Sequence, residues 1–169
     1  MSKYQIVVAV SVLVTLGACS KVDDSVEPIE ASLEAAVEVA QSCPEADESG
    51  VISIAPDLSA RIIQSGYGRA AVEGDYADTN VSLWLFDEEA EDRHGQFIWE
   101  SGANVFQFQL GSGQVIKGWD MGVPCMLEGE TRELVVGGDL AYGQAGRDPI
   151  PPNATLIFNI ELLRLKSPE

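Results

Sequence analysis

The sequence is poor in basic residues, histidine and cysteine. Its 169 residues include 10 lysines and arginines against 27 aspartates and glutamates, which gives a net charge of −17, and a single histidine, His94. A chain this acidic repels phosphate backbones, so we expect no nucleic-acid partner. The three cysteines, at 19, 43 and 125, form no C-x-x-C pair and do not have the ligand spacing of a zinc site. We therefore expect no metal and no cofactor, and we expect His94, among acidic neighbours, to occupy a solvated hairpin tip.

Only one long apolar run is present, at residues 6–16, and it begins three residues after Lys3. A helix needs about 20 apolar residues to span a bilayer, and this run is much shorter. A basic start followed by a short apolar run is typical of a secretory signal peptide. We therefore predict that residues 1–18 are a signal peptide that is removed.

The residues that end this segment, Leu-Gly-Ala-Cys at 16–19, resemble the lipobox of bacterial lipoproteins. The resemblance implies cleavage before Cys19, a lipid on its thiol and membrane attachment through that lipid. Ser20, where an aspartate would retain a Gram-negative lipoprotein at the inner membrane, implies an outer-membrane lipoprotein of the bacterial cell envelope, facing the periplasm or the cell surface. An ordinary signal peptide followed by a coincidental cysteine is the alternative.

Residues 19–50 are predicted to be an acidic tether. Apolar residues at three- and four-residue steps predict a helix at about 27–41, which serves as a spacer or packs against the domain or a second copy. That apolar stripe consists of Val26, Ile29, Leu33, Val37 and Ala40. Cys43 and Cys125 would both reach an oxidising compartment, and whether they pair stays open at this point.

From residue 51 to residue 169 the sequence predicts one α+β domain. Short runs rich in β-branched and aromatic residues alternate with glycine-containing turns, which is typical of antiparallel strands. One or two helical turns are expected at 115–121. The expected strands are 51–54, 59–63, 81–85, 97–99, 105–110, 133–136 and 155–165.

Five ordered motifs resemble the FKBP family of peptidyl-prolyl cis/trans isomerases. They are Phe-Gln-Phe-Gln-Leu-Gly at 106–111, Val-Ile-Lys-Gly-Trp-Asp at 115–120, Met-Leu-Glu-Gly-Glu at 126–130, Asp-Leu-Ala-Tyr-Gly at 139–143 and Ile-Pro-Pro-Asn-Ala-Thr-Leu-Ile-Phe at 150–158. The resemblance implies a five- or six-stranded antiparallel sheet wrapped around one short helix. It also implies isomerase activity on proline-containing polypeptides, and macrocyclic inhibitors of the family as further ligands.

The resemblance implies an apolar pocket between helix and sheet. Trp119 would form its floor, Phe106 and Phe158 its walls, and the Ile116 backbone N–H and the Tyr142 hydroxyl would be its donors. Glu100 falls where the family usually has aspartate, Trp99 where it has phenylalanine and Trp84 where it has a pocket tyrosine. The implied catalytic residues are Tyr142, Ile116, Trp119, Phe106, Phe158 and Glu100, and the implied substrate-binding residues are Val115, Trp99, Trp84, Ile150 and Phe108.

The departures at 84, 99 and 100 leave two functions open. An active isomerase assisting the folding of exported proteins is favoured by the retained Tyr142, Ile116 and Trp119. A binding module or chaperone of the same fold, with weak or no isomerase activity, is the alternative. A structural lipoprotein that oligomerises through its tether is a third. The loop at 145–149 is also about one residue short, and it places opposite charges, Arg147 and Asp148, beside the pocket mouth.

Overall fold

A computed structural model describes residues 43–168 of the chain. The predicted signal peptide, the lipid-attachment residue Cys19 and the tether helix at 27–41 lie outside the described residues. Within residues 43–168 there is one α-helix, and no helix is long and apolar enough to cross a bilayer. The elements are β1 (Val51–Ala55), β2 (Leu58–Gln64), β3 (Tyr67–Ala70), β4 (Tyr76–Phe86), β5 (His94–Glu100), β6 (Phe106–Gln109), α1 (Lys117–Gly122), β7 (Leu127–Glu128), β8 (Thr131–Val136) and β9 (Leu156–Lys166).

The main sheet is antiparallel and has the order β1-β2-β8-β9-β4-β5, with β6 paired to β4 as well. Along one edge of β4, β6 pairs with its first half and β5 with its second half. The predicted antiparallel sheet with one short helix is therefore confirmed. Within the described residues it has seven strands rather than five or six, because β1 adds an outer strand and β5 and β6 share one neighbour.

The long central strands β4 and β9 turn alternate side chains to the helix, as the period of two in a strand requires. On β4, Val81 and Leu83 are buried in the main core, and Leu83 pairs in register with Phe158 of β9. The intervening residues, such as Trp84, lie on the opposite face, which we call the outer face of the sheet. The two faces therefore separate a helix-covered core from a second, more polar surface.

The helix α1 packs closely on the core face because Gly118 has no side chain. A Cβ atom at this position would overlap the Val136 side chain of β8. Asp120 then fixes the loop that precedes the helix, since its carboxylate accepts hydrogen bonds from the N–H groups of Gly111 and Gly113, both at 3.0 Å. The Gly-Trp-Asp sequence thus has a packing role and a loop-ordering role on either side of Trp119.

Two short strands, β3 and β7, form a separate two-stranded sheet that the sequence did not predict. The glycines at 66 and 68 favour a turn, and a two-residue strand such as β7 has no detectable alternation. Pairing with a distant segment therefore overrides the local signal here.

A disulfide joins Cys43 to Cys125, which lies just after α1, with their Cα atoms 5.8 Å apart. The bond settles the pairing that the sequence left open. The N–H of Cys125 also donates to the carbonyl of Ala71 at 2.8 Å. The disulfide thus fastens the start of the described chain to a well-anchored loop, 82 residues away in sequence.

Two ion-pair clusters, each built on a buried carboxylate, tie the elements together. Glu130 and Arg132 are 2 % and 4 % exposed, with 2.7 Å between their charged groups, and the Arg132 guanidinium also donates to the Gly122 carbonyl at the end of α1 at 2.8 Å. On the outer face, Asp78 of β4 accepts hydrogen bonds from Gln107 of β6 and Arg164 of β9. Glu130, Arg132 and Asp78 are thus buried with partners, as buried charges in proteins generally are, and the Arg164 side chain that reaches Asp78 is itself exposed.

Candidate functional site

An aromatic cluster forms the candidate pocket where α1 faces the sheet. Trp119 of α1 is 5 % exposed, and the centroid of its ring lies 5.2 Å from that of Phe158, 5.6 Å from that of Phe106 and 5.5 Å from that of Phe108. The Phe106 and Phe158 rings stand nearly perpendicular to the indole, a favourable edge-to-face arrangement. The indole N–H has no hydrogen-bond partner among residues 43–168, so packing holds this ring in place.

The rim of the cluster is apolar as well. Trp99 of β5 is 42 % exposed, and its ring centroid lies 6.3 Å from that of Phe106. Val115 and Ile116 are half-buried against the core just before α1, and Ile150 is buried in the loop before β9. The structure thus brings the predicted floor and walls of the pocket together. Val115, Ile116 and Ile150 pack on the same hydrophobic core, and Trp99 contacts the Phe106 ring.

Two polar groups at this site are available to a ligand. Ile116 has an extended backbone, and its carbonyl accepts the N–H groups of Trp119 and Asp120, but no hydrogen bond within residues 43–168 uses its own N–H. Tyr142 is half-buried against the core at the start of a short 3₁₀ turn, Gly143–Ala145. Its hydroxyl also takes part in no hydrogen bond of the described part of the chain. Both predicted donors therefore belong to residues that pack on this core and keep a free donor.

Trp84 does not lie in the pocket, which corrects the prediction. It is on the outer face of β4, where its ring contacts His94 and Phe97 at centroid distances of 4.6 Å and 5.7 Å. Its neighbour Leu83, 4 % exposed, faces the core instead. Successive residues of a strand face opposite sides, so Trp84 cannot reach the pocket while Leu83 lies in the core. The alternation of Val81, Leu83 and Leu85 is the sequence signal for the residues of β4 that face the core.

The same outer-face cluster corrects the expectation for His94. Its side chain is 16 % exposed at the start of β5, rather than solvated at a hairpin tip. The imidazole lies between two carboxylates, with Nδ1 3.1 Å from Asp92 and Nε2 3.5 Å from Glu133. An edge-to-face contact with the Trp84 ring brings His94 inward, and the residues next to His94 in the sequence do not reveal this contact.

Glu100 is also placed away from the aromatic rings. It pairs in register with Ser82, an outer-face residue, and it is exposed. Together with Asn80, Ser82 and Asn159 it lines a shallow polar groove of about 250 Å³. The expected catalytic role of Glu100 therefore has no geometric support, because consecutive residues of a strand face opposite sides and Trp99 is the one beside Phe106.

The sequence did not identify a contact between Arg147 and Tyr142. The guanidinium carbon of Arg147 lies 5.7 Å from the centre of the Tyr142 ring, within the range of a cation–π interaction. It places a positive charge beside one of the two available donors. The only sequence signal was the pair of opposite charges in the shortened loop.

Comparison with known proteins agrees with this geometry. The family model described as FKBP-type peptidyl-prolyl cis-trans isomerase matches residues 68–163. The chain is similar to an FK506-binding protein of Neisseria meningitidis, with 38 % identity over 109 residues that cover 61 % of this chain and 91 % of the relative. It also resembles FK506-binding protein 1B of Aspergillus fumigatus, with 36 % identity over 113 residues that cover 64 % of this chain and 94 % of the relative.

A more local similarity is to the mouse peptidyl-prolyl cis-trans isomerase FKBP2, at 55 % identity over 62 residues. That match covers 36 % of this chain and spans 44 % of the relative, less than half of its length. Among solved structures, a peptidyl-prolyl cis-trans isomerase from Pseudomonas syringae superposes with a TM-score of 0.60 and 28 % identity, covering 83 % of this chain and 97 % of that one.

Proposed function

Because this chain belongs to the family of FKBP-type peptidyl-prolyl cis-trans isomerases, we propose that it catalyses cis/trans isomerisation of X-Pro bonds in polypeptides. The observation that carries the proposal is the Trp119 aromatic cluster with two free donors on adjoining residues. The prolyl ring is small, apolar and flat enough to lie against such rings. The donors supply the polar contacts that orient the neighbouring carbonyls.

The chemistry requires stabilisation of a twisted amide rather than bond cleavage. A planar amide resists rotation with a barrier of about 18–20 kcal/mol, and uncatalysed X-Pro exchange takes tens to hundreds of seconds. Twisting removes the conjugation and leaves a less polar bond, which an apolar pocket favours over the planar ground state. This is preferential binding of the transition state, and a ten-thousandfold acceleration needs only about 5.5 kcal/mol.

In this mechanism the named residues have separate tasks. Trp119, Phe106 and Phe158 exclude water from the prolyl ring. The Ile116 N–H and the Tyr142 hydroxyl donate to carbonyls of the substrate and fix its orientation. We also propose that macrocyclic ligands of the FK506 type compete for the same rings, since the names of several similar proteins record binding of FK506.

We propose that the enzyme acts in the bacterial cell envelope, attached to the outer membrane by lipid on Cys19. The supports are the short apolar run at 6–16 and the Leu-Gly-Ala-Cys sequence at 16–19. The test is expression of the wild type and of Cys19→Ser, followed by membrane fractionation and intact-mass measurement. A lipid mass on the wild type alone, with membrane recovery lost in the variant, supports the anchor; an unlipidated, membrane-free wild type contradicts it.

The isomerase proposal is tested by NMR exchange spectroscopy on a Leu-Pro tetrapeptide. The purified protein should accelerate cis/trans exchange at substoichiometric concentration, and an excess of FK506 should suppress the acceleration. Trp119→Leu should lose most of it while circular dichroism still reports a folded sheet. A folded wild type that leaves exchange at the uncatalysed rate, yet shifts its own Tyr142 and Trp119 signals on titration with peptide, would instead identify a binding module.

A further inference from the structure

The loop at the pocket mouth holds Arg147 in a defined position. Arg147 and Ile150 exchange backbone hydrogen bonds, at 2.9 Å from the Arg147 N–H and 2.5 Å from the Ile150 N–H. Ile150 is 6 % exposed and belongs to the core. The base of the Arg147 side chain is therefore fixed to a buried residue, although Arg147 itself is exposed.

Gly146 contributes to this position. It has a φ of 63°, and a Cβ atom there would lie 2.7 Å from the Ile150 carbonyl oxygen and 2.9 Å from the Pro151 carbonyl carbon. Its N–H donates to the Tyr142 carbonyl at 3.2 Å. The loop thus turns tightly from Tyr142 back to Ile150, and the guanidinium of Arg147 comes to lie over the Tyr142 ring.

The Arg147 guanidinium has no ion-pair partner within residues 43–168. Four other arginines of the described chain, at 61, 69, 132 and 164, each pair with a carboxylate. The adjacent Asp148 forms no ion pair with Arg147 in the described structure. Arg93 is the other arginine without an ion pair among residues 43–168, but only Arg147 lies against the Tyr142 ring beside the pocket.

We propose that Arg147 is a specificity-determining residue that favours substrates with an acidic side chain next to the proline. This inference rests on the proposed isomerase function. A guanidinium presents parallel N–H donors that match a carboxylate, and stacking on Tyr142 orients it before the substrate arrives. The Tyr142 hydroxyl would hold the substrate backbone, and Arg147, over the same ring, would contact the side chain that flanks it.

The experiment measures kcat/KM by NMR exchange for four otherwise identical peptides. They carry Glu or its neutral isostere Gln either directly before or directly after the proline. The proteins are the full-length wild type, Arg147→Met, Arg147→Lys and Arg93→Met. Arg93 is exposed and forms no ion pair in the described structure, so its variant changes the net charge equally without touching the loop.

We expect the Glu-to-Gln ratio of kcat/KM to fall about three- to fivefold in Arg147→Met for one of the two peptide positions, the size typical of an exposed ion pair. Arg147→Lys should restore part of the ratio, Arg93→Met should leave it unchanged, and 0.5 M salt should reduce it in the wild type. An unchanged ratio in Arg147→Met, or an equal loss for Glu and Gln peptides, overturns the proposal.

The Arg147 proposal can still be tested if the protein proves inactive as an isomerase. The same peptides are then titrated into the same variants, and affinity is measured from chemical-shift changes. A Glu preference that depends on Arg147 supports the inference while the isomerase proposal fails. Equal affinities for the Glu and Gln peptides reject the inference on its own.

Discussion

Lowering the pH from 5 to 2 is expected to destabilise this protein through Asp78. This carboxylate is 3 % exposed on the outer face of β4. Burial raises its pKa, but hydrogen bonds from Gln107, Arg164 and Lys166 outweigh that effect and lower the pKa from 3.8 to about 2. The Arg164 Nη2 lies 2.7 Å and the Lys166 Nζ 3.2 Å from the carboxylate oxygen. One carboxylate thus links β4 to two of its three neighbouring strands, β6 and β9.

The sign and size of the effect follow from proton linkage. Because the folded pKa lies below the unfolded one, the stabilisation is fully present above pH 4 to 5 and is lost as the pH falls through the folded value. At about 1.36 kcal/mol per pKa unit, the lowering to about 2 contributes about 2 kcal/mol. Most of it should disappear between pH 5 and pH 2, and the remainder below pH 2.

The assay is urea unfolding of the wild type and Asp78→Asn at both pH values and at 0.1 M ionic strength, followed by tryptophan fluorescence. The difference in unfolding free energy between the two proteins should be about 2 kcal/mol larger at pH 5 than at pH 2. Arg164→Gln should reduce this pH-dependent part, since it removes one of the partners. A wild-type-to-variant difference that is the same at pH 5 and pH 2 would refute the reasoning.

Two further predictions concern other positions. Trp84→Ala should lower the free energy of unfolding by about 2 kcal/mol, because it removes the contacts with His94 and Phe97. It should leave kcat/KM for an X-Pro peptide within twofold of the wild-type value. A large loss of activity in a folded variant would contradict the placement of Trp84 on the outer face. Arg132→Met should lower the free energy of unfolding, measured in urea, by about 3–5 kcal/mol, because it leaves the Glu130 carboxylate buried without its cation. A decrease below 1 kcal/mol would show that the pair is not buried in solution.

Much of the fold could be predicted because its strands show clear local patterns. The alternation along β9 identifies it as a strand and shows which of its residues are buried. The Gly-Trp-Asp sequence marks the position of α1 and of the buried Trp119. The strands β3 and β7 could not be predicted, since each is stabilised by its partner rather than by its own residues. The Cys43–Cys125 bond depends on two segments 82 residues apart being close in space, which a single sequence does not determine.

The central aromatic residues of the candidate site could be predicted from the sequence, but the residues around them could not. Trp119, Phe106 and Phe158 are placed by motifs of fixed spacing, and the structure brings them together. Trp84 was assigned to the pocket from its position in the family resemblance, while the face of a strand residue depends on register. Glu100 faces outward because it pairs with Ser82, and this pairing between distant segments is not determined by the sequence of β5 alone.

The central claim is that the Trp119 pocket and the Tyr142 hydroxyl accelerate X-Pro exchange. The measurement that tests it most directly is the NMR exchange rate of a Leu-Pro peptide with wild type, Tyr142→Phe and Tyr76→Phe. Tyr76, 37 % exposed at the start of β4, provides the same chemical change away from α1. We predict acceleration by the wild type, a loss of about three- to tenfold in Tyr142→Phe for one hydrogen bond, and no loss in Tyr76→Phe. Exchange at the uncatalysed rate with folded wild type, or equal rates for all three proteins, would contradict the account.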